Sequence, residues 1–378
     1  MTTTETKKID FIDLKAQQRR IRASLEQRIK KVMDHGSYIM GPEIAELEEK
    51  LANYVGVKYC VTCASGTDAL LMPLMAYDIK PGDVIFTSPF TFIATAEVVA
   101  LLGASVVFVD IDPRTYNIDP VKLEEEIQKF LKNNSGKKNA RGIIPVDLFG
   151  LTADYDPIEV VAKKYKLFIL QDAAQSFGAT YKGRKAGSMG DIGATSFFPA
   201  KPLGCYGDGG AIFCNDDTML QKLRSIRVHG QGSDKYNNIR IGINGRMDTM
   251  QAAVLLAKME IFEEEIHLRN AVAARYTEKL KNAATPPFVP KESVSVWAQY
   301  SLLVQHRDEM LAKLKSRGVP TAIYYPKPLH LQEAFRSLGY KRGDFPISER
   351  IADSIFSVPM HPYLSEDVQD YIVKAITE

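Results

Sequence analysis

Leu167-Phe-Ile-Leu-Gln-Asp172-Ala-Ala-Gln175 is an apolar run of strand length that closes on a carboxylate, two alanines and an amide. An unbroken apolar run bounded in this way reads as a strand buried on both faces, as in parallel sheets covered by helices. Comparable runs fall at 59–65, 83–88, 105–110 and 142–148, and helical stretches such as 92–102 and 120–131 separate them. The alternation is that of right-handed βαβ units, so the chain is read as α/β with a mostly parallel sheet. Ligands of open α/β sheets bind beyond the carboxyl ends of the strands, which puts Asp172 where a ligand is expected. The simpler reading, Asp172 as the cap of a helix beginning at Ala173, leaves the next motif unexplained.

That motif is Thr195-Ser-Phe-Phe-Pro-Ala-Lys201-Pro-Leu-Gly-Cys-Tyr-Gly-Asp-Gly-Gly210, a lysine set between an apolar strand and a glycine-rich turn. An ammonium becomes a nucleophile when apolar surroundings or a cationic neighbour lower its pKa, and Phe197, Phe198, Pro199, Pro202 and Leu203 supply such surroundings. Lys201 is therefore a candidate Schiff-base lysine, against the default of a solvated surface lysine. A pyridoxal phosphate ring needs a carboxylate on its pyridine nitrogen to act as an electron sink, and Asp172 is of the right kind. Gln175 is a candidate for the ring's phenolic oxygen. Tyr59–Ser65 reads as a strand and Gly66-Thr67 opens a helix directly after it, a place where free N–H groups and the helix dipole attract a phosphate. Ser196 can add a hydroxyl there. Phe90, in Ser88-Pro-Phe-Thr-Phe92, is expected either to stack on the pyridine ring or to belong to the core.

With 378 residues the length prior gives about two domains. The expected division is a large cofactor-binding domain over 1–253 and, over 254–378, a bridging helix followed by a smaller C-terminal α/β domain. The helix is expected to run from Met247 to about Asn282 and the small domain to hold 294–304, 321–325 and a closing helix over 366–376. The 48 basic and 46 acidic residues leave a net charge of +2, which excludes a broad field for nucleic acid. The basic cluster Lys129, Lys132, Lys137, Lys138 and Arg141 reads as a solvated helix end and loop. No apolar run approaches the roughly 20 residues of a membrane span, and the start of the chain is too polar for a signal peptide, so a cytoplasmic protein is expected. Cys60 and Cys63 stand three apart, on opposite faces of a strand, and the six histidines are scattered, so no metal is expected.

Taken in order, Ala64-Ser-Gly-Thr-Asp-Ala-Leu70, Ser88-Pro-Phe-Thr-Phe92, Asp172-Ala-Ala-Gln175, Ser196-Phe-Phe-Pro-Ala-Lys-Pro-Leu-Gly204, Gly207-Asp-Gly-Gly210 and Gly242-Ile-Asn-Gly-Arg-Met247 resemble the DegT/DnrJ/StrS nucleotide-sugar aminotransferases over nearly the whole chain. The resemblance implies a fold-type I, aspartate aminotransferase-like architecture, pyridoxal 5'-phosphate as cofactor with pyridoxamine phosphate as its aminated form, and a homodimer whose active sites are shared between subunits. It implies Lys201 as the lysine joined to the cofactor, Asp172 on the ring nitrogen, Gln175 on the phenolic oxygen, and Gly66, Thr67 and Ser196 on the phosphate. Asn244 would reach that phosphate from the partner subunit.

Phe11-Ile-Asp-Leu-Lys-Ala-Gln-Gln18, His35-Gly-Ser-Tyr-Ile-Met-Gly-Pro42, Val109-Asp-Ile-Asp-Pro-Arg-Thr-Tyr-Asn117 and Met360-His-Pro-Tyr-Leu364 are similar to members that aminate a UDP-linked 3-oxo uronate derived from N-acetylglucosamine, with L-glutamate as donor and 2-oxoglutarate as co-product. An amino sugar for surface polysaccharide such as O-antigen is the implied product. Arg240 and Arg246 suit carboxylate or pyrophosphate oxygens, or are surface ion-pair residues. Tyr38, His229, Tyr324, Tyr325 and His330 are further candidates for sugar contact, both histidines having a structural alternative. Three departures stand out from the resemblance: Ala200 before the lysine, Gln171 before Asp172, and Tyr324-Tyr325 where relatives often carry His-Tyr. Amination of another keto sugar nucleotide (UDP-3-oxo-N-acetylglucosamine, a dTDP-3-oxo sugar or a 4-keto sugar) and a non-catalytic sugar-nucleotide sensor are the alternatives. A dehydratase of the same family would carry histidine in place of Lys201.

Overall fold

The computed structural model describes residues 9–134, 136 and 138–378; the polar start of the chain and Lys137 of the basic cluster lie outside them. The strands are β1 (Tyr59–Cys63), β2 (Asp83–Thr87), β3 (Ser105–Phe108), β4 (Asn139–Ile144), β5 (Phe168–Asp172), β6 (Thr180–Tyr181), β7 (Arg184–Lys185), β8 (Ile192–Ser196), β9 (Gly210–Cys214), β10 (Ser293–Val294), β11 (Tyr300–Leu303) and β12 (Ile355–Val358). The helices are α1 (Leu14–His35), α2 (Pro42–Val55), α3 (Gly66–Ala76), α4 (Ala94–Leu101), α5 (Pro120–Asn133), α6 (Tyr155–Tyr165), α7 (Asp217–Ile226), α8 (Thr249–Met259), α9 (Phe262–Leu280), α10 (Arg307–Ser316), α11 (Pro346–Ser354) and α12 (Glu366–Thr377).

Seven strands form one sheet in the order β1-β9-β8-β5-β4-β2-β3. Only β9 runs against the others, pairing antiparallel with β1 and β8, while β8, β5, β4, β2 and β3 pair in parallel. Alternate side chains leave opposite faces: Cys60 and Phe86 join one core with α1, α2, α5, α6 and α8, and Val61, Cys63 and Ile85 join the other with α3, α4 and α7. Both faces are therefore covered, which is why these strands read as continuous apolar runs. A separate core, built on Tyr276, Tyr300, Leu302, Leu314, Phe356 and Ile372, holds the C-terminal unit around the antiparallel pair β11–β12. The chain position 253/254 falls within α8, whose Val254, Leu255 and Leu256 lie in the large core.

Four expected elements differ. The strand expected at 142–148 is β4, which starts earlier and stops at Ile144, because Pro145 has no N–H to give to the ladder. The single long helix expected from Met247 is two helices. Ile261 leaves helical geometry at φ −117°, and Glu263, Glu264 and Glu265 fill the first turn of α9, a composition that favours a new helix start. Of the expected 294–304 run, Val294 pairs with the short β6 and only Tyr300–Leu303 joins β12. In the expected run at 321–325 only Ala322 pairs, with Ser357, and the two tyrosines that follow turn toward the large domain.

The loop after β4 is tied to β5 by a buried carboxylate. Asp147 accepts hydrogen bonds from Ala153 N at 3.0 Å, Tyr155 OH at 2.8 Å, Gln171 Nε2 at 2.7 Å and Ser176 Oγ at 2.7 Å. Burial pushes its pKa up to about 6, against the pull of these donors. The folded state thus binds this proton more tightly than the unfolded chain. The group favours folding most below about pH 4, and that contribution, about 3 kcal/mol, is lost as the pH rises through about 6. Asp147→Asn is expected to gain on wild type by up to about that amount between pH 4 and pH 7 in urea denaturation; a difference that does not change with pH would contradict the assignment.

Candidate active site

The carboxyl ends of β1, β5 and β8 lie on one edge of the sheet, and the candidate residues gather there. Asp172 is the last residue of β5 and is 5 % exposed. Its Oδ2 accepts from Thr95 Oγ1 at 2.8 Å and its Oδ1 from Ala174 N at 3.1 Å. Burial raises its pKa, opposed by Thr95, Ala174 and the charge of Lys201. Lys201 is on the loop after β8, with its N–H on Phe198 O at 2.8 Å. Burial lowers the pKa of its amine and the Asp172 carboxylate opposes that shift, although by exposed area the residue is only half-buried. The loop is tight: a Cβ on Gly204 would fall 2.6 Å from both Phe198 O and Pro199 O.

Gln175 is buried, takes a hydrogen bond from Phe149 N at 2.8 Å and donates from Nε2 to Tyr325 OH at 3.1 Å. At the start of α3, Ser65 caps the helix by accepting from Asp68 N at 3.0 Å, which leaves the first-turn N–H groups of Gly66 and Thr67 directed outward. A Cβ on Gly66 would stand 2.5 Å from Ser196 Cβ, so the turn can sit against β8 only as glycine. Ser196 itself is buried, its Oγ accepting from Phe198 N at 3.3 Å.

Two expected residues are elsewhere in role. Phe90 is 1 % exposed and packs edge-on against Phe149 and Tyr325 in the core between the two domains, so neither ring face is open to a cofactor. Phe92, two residues on, is 55 % exposed, and its ring lies 6.3 Å from that of Tyr325. His330 is also buried, with Nε2 3.0 Å from Glu349 Oε1 and its ring against Phe345, and it offers no surface to a sugar. Tyr324 and Tyr325 stand at the site, the second through Gln175. Tyr38, His229 and Asn244 are exposed and Arg240 and Arg246 half-buried. Among the described residues none of these five side chains bonds Lys201, Asp172 or Gln175. Arg246 follows Gly245, whose carbonyl takes a hydrogen bond from Ala64 N, and its buried Nε has no partner among the described residues. Thr95 and Phe92 escaped the sequence reading. Thr95 carried a signal, a hydroxyl one residue into a helix whose only other polar side chain is Glu97.

A desolvated amine, a buried carboxylate with acceptor capacity to spare, and a glycine-kept anion cradle at one sheet edge define the class of fold-type I pyridoxal phosphate enzymes, and this donor set fits that cofactor. The chain belongs to the DegT/DnrJ/EryC1/StrS aminotransferase family, whose sequence profile matches residues 19–377. Enzymes of this family use pyridoxal phosphate. UDP-2-acetamido-2-deoxy-3-oxo-D-glucuronate aminotransferase of Pseudomonas aeruginosa is 50% identical over 370 residues, covering 98% of this chain and 99% of its own. A pleiotropic regulatory protein of Geobacillus stearothermophilus is 40% identical over 98% of both. The crystal structure of a DegT/DnrJ/EryC1/StrS aminotransferase from Brucella abortus superposes with a TM-score of 0.94 at 51% identity, over 97% of this chain and 98% of that one.

Gly66→Ala is expected to cost about 1–3 kcal/mol in urea denaturation through overpacking against Ser196. Pairing it with Ser196→Gly removes the opposing Cβ and should recover most of the loss; additive losses would show that the contact is not the cause.

Proposed function

We propose that this protein transfers an amino group from L-glutamate to C3 of a UDP-linked 3-oxo uronate derived from N-acetylglucosamine. The observation that supports the reaction class is that Asp172, buried at the end of β5, and Lys201, on the loop that leaves the neighbouring parallel strand β8, come from one edge of the sheet, with burial lowering the pKa of the amine and the carboxylate opposing that shift. The substrate rests on similarity to the Pseudomonas aeruginosa enzyme, whose identity extends over the full length of both chains. Bound pyridoxal phosphate supplies an aldehyde that condenses with amines and a ring that takes up the electron pair freed at the reacting carbon.

The chain's own residues then have distinct tasks. Asp172 holds the ring nitrogen and keeps its proton, and Thr95 fixes the carboxylate for that purpose. Gln175, whose Nε2 here donates to Tyr325 OH, would offer an amide N–H to the phenolic oxygen. Gly66, Thr67 and Ser196 would hold the phosphate, and Phe92, exposed where Phe90 is enclosed, would offer a ring for stacking. Lys201 would hold the cofactor, and its amine is the base suited to take a proton from the donor's α-carbon and to return one to the sugar carbon. The lowered pKa of this amine makes it a weaker base but leaves its lone pair free of a proton for a larger share of the time at neutral pH.

A homodimer completes the site. Tyr236 and Ile241 are each 85 % exposed, and Ile239 beside them is exposed too, on the segment that also carries Arg240 and leads to Asn244. On this reading Asn244 meets the partner subunit's phosphate, and Arg240 and Arg246 meet substrate oxyanions. No helix of the described residues is long and apolar enough to cross a membrane. A UDP-linked substrate and glutamate as donor agree with a cytoplasmic step toward a surface polysaccharide such as O-antigen.

Purified protein loaded with cofactor is expected to show a visible absorption band that glutamate bleaches and that Lys201→Ala lacks; an unchanged spectrum in that variant overturns the role of Lys201. Incubated with 2-oxoglutarate and a UDP-3-amino uronate, the enzyme is expected to release glutamate. Turnover of a 4-amino sugar and of no 3-amino sugar would overturn the position of amination.

A further inference from the structure

Lys201 sits on a loop whose return limb is gripped by one helix. Cys205 closes the loop's base, with its N–H on Phe197 O at 2.8 Å and its Sγ 3.1 Å from the same oxygen. The next residue, Tyr206, is held at both backbone groups by one side chain of α8: Tyr206 N–H donates to Gln251 Oε1 at 2.8 Å, and Tyr206 O accepts from Gln251 Nε2 at 3.4 Å. Gly207 then passes so close that a Cβ there would stand 3.0 Å from Gln251 Nε2. Two turns along α8, on the same face, Lys258 is 1 % exposed, and its Nζ lies 4.4 Å from the centroid of the Tyr206 ring. That ammonium has no hydrogen-bond partner among the described residues. Burial holds its pKa down to about 8, with the buried Glu265 carboxylate opposing. An unpaired buried cation weakens a fold that a methionine of similar length would suit better. What Lys258 adds is a directed attraction for the face of one aromatic ring.

We propose that Gln251 and Lys258 are positioning residues for Lys201, acting through Tyr206. The amide fixes the backbone of the return limb and the ammonium fixes its ring, so the loop that carries the reacting amine is held from below at two points. The inference rests on the reading of Lys201 as the cofactor-bearing lysine, and it assigns α8 a task in the reaction that its burial in the large core does not by itself imply. An ångström of misplacement at a reacting group is worth up to about 100-fold in rate.

The test compares Gln251→Leu, Lys258→Met, Tyr206→Leu and Tyr206→Phe in the glutamate half-reaction, followed as bleaching of the visible band of cofactor-loaded enzyme. It adds the pH titration of that band, thermal unfolding, and amide exchange over 197–207 in cofactor-free protein. The saturating rate is expected to fall about 10- to 100-fold in the first three variants. The half-saturating glutamate concentration should stay within about threefold of wild type, the mark of lost positioning rather than lost binding. The band's titration midpoint should move, the Tyr206 amide should exchange faster in Gln251→Leu, and Lys258→Met should melt no lower than wild type. Tyr206→Phe, which keeps the ring, should regain most of the rate that Tyr206→Leu loses. If Gln251→Leu does not fold, Gln251→Glu takes its place, keeping the acceptor for Tyr206 N–H and losing the donor to its carbonyl. Wild-type rate and titration in the Gln251 and Lys258 variants would overturn the proposal. So would rate losses that track a lower melting temperature and faster exchange throughout the chain. A wild-type band that survives Lys201→Ala would instead sink the functional reading itself, so the two failures are distinguishable.

Discussion

The candidate site depends on an amine and a carboxylate at one sheet edge, each opposing the shift that burial imposes on the other. Desolvation acts on both in the same sense, toward the neutral form, and their mutual attraction resists it. The balance holds because Asp172 is partly satisfied by Thr95 Oγ1 and Ala174 N and therefore does not need Lys201 as a fixed ion-pair partner. The parallel register of β5 and β8, with Asp172 opposite Ala194, sets where the loop carrying Lys201 begins. A shift of this register by one residue would turn Asp172 to the other face of the sheet. The helices on both faces, which bury alternate residues of these strands, are what forbid that shift.

How much of this was legible in the sequence depended on the range of the interaction. β5 and the Gly66-Thr67 helix start were readable because strand burial and helix initiation are written in neighbouring residues. The loop around Lys201 was readable for a related reason, since its prolines, phenylalanines and glycines all lie close together in the chain. The antiparallel course of β9 was not, as nothing local distinguishes an apolar run that pairs up from one that pairs down. The break between α8 and α9 was partly legible in Glu263, Glu264 and Glu265, but the apolar spacing continues across it. Phe90 and Phe92 show the limit most plainly. Both are phenylalanines in one short turn, and only the packing of Phe149 and Tyr325 decides that the first is enclosed and the second open.

The Tyr324-Tyr325 pair belongs to the C-terminal unit yet reaches the site. Tyr325 OH meets Gln175 Nε2, and its ring lies against Phe90 and Phe92, so a residue from the C-terminal unit touches a candidate residue of the large one. Burial raises the pKa of this phenol, which keeps it a neutral hydroxyl that accepts from Gln175 and retains a proton to donate. Ile111, Tyr116, Val146 and Phe149 pack there with Ile351 and Ile355, so the two units share an apolar seam beside the candidate site. Movement along that seam would change the environment of Gln175 before it changed that of Asp172, which is tied to β8 and α4 within the large domain.

Gln171 shows how far this arrangement constrains residues that never touch a ligand. Its Nε2 gives a hydrogen bond to the buried Asp147, and its Oε1 takes two, from Gly187 N and Met189 N. An amide is the side chain that can do both at once, because it presents a donor and an acceptor side by side. A carboxylate at this position would keep the two accepted bonds and face Asp147 with a second negative charge, so the pair would have to share a proton. Asp147 in turn holds Ser176, next to Gln175, and the residue preceding Asp172 is thereby locked to the residue following Gln175. The short turn that carries both candidate cofactor contacts is thus fixed from its two ends by a single buried carboxyl group, which explains why a polar network persists at the heart of an otherwise apolar layer.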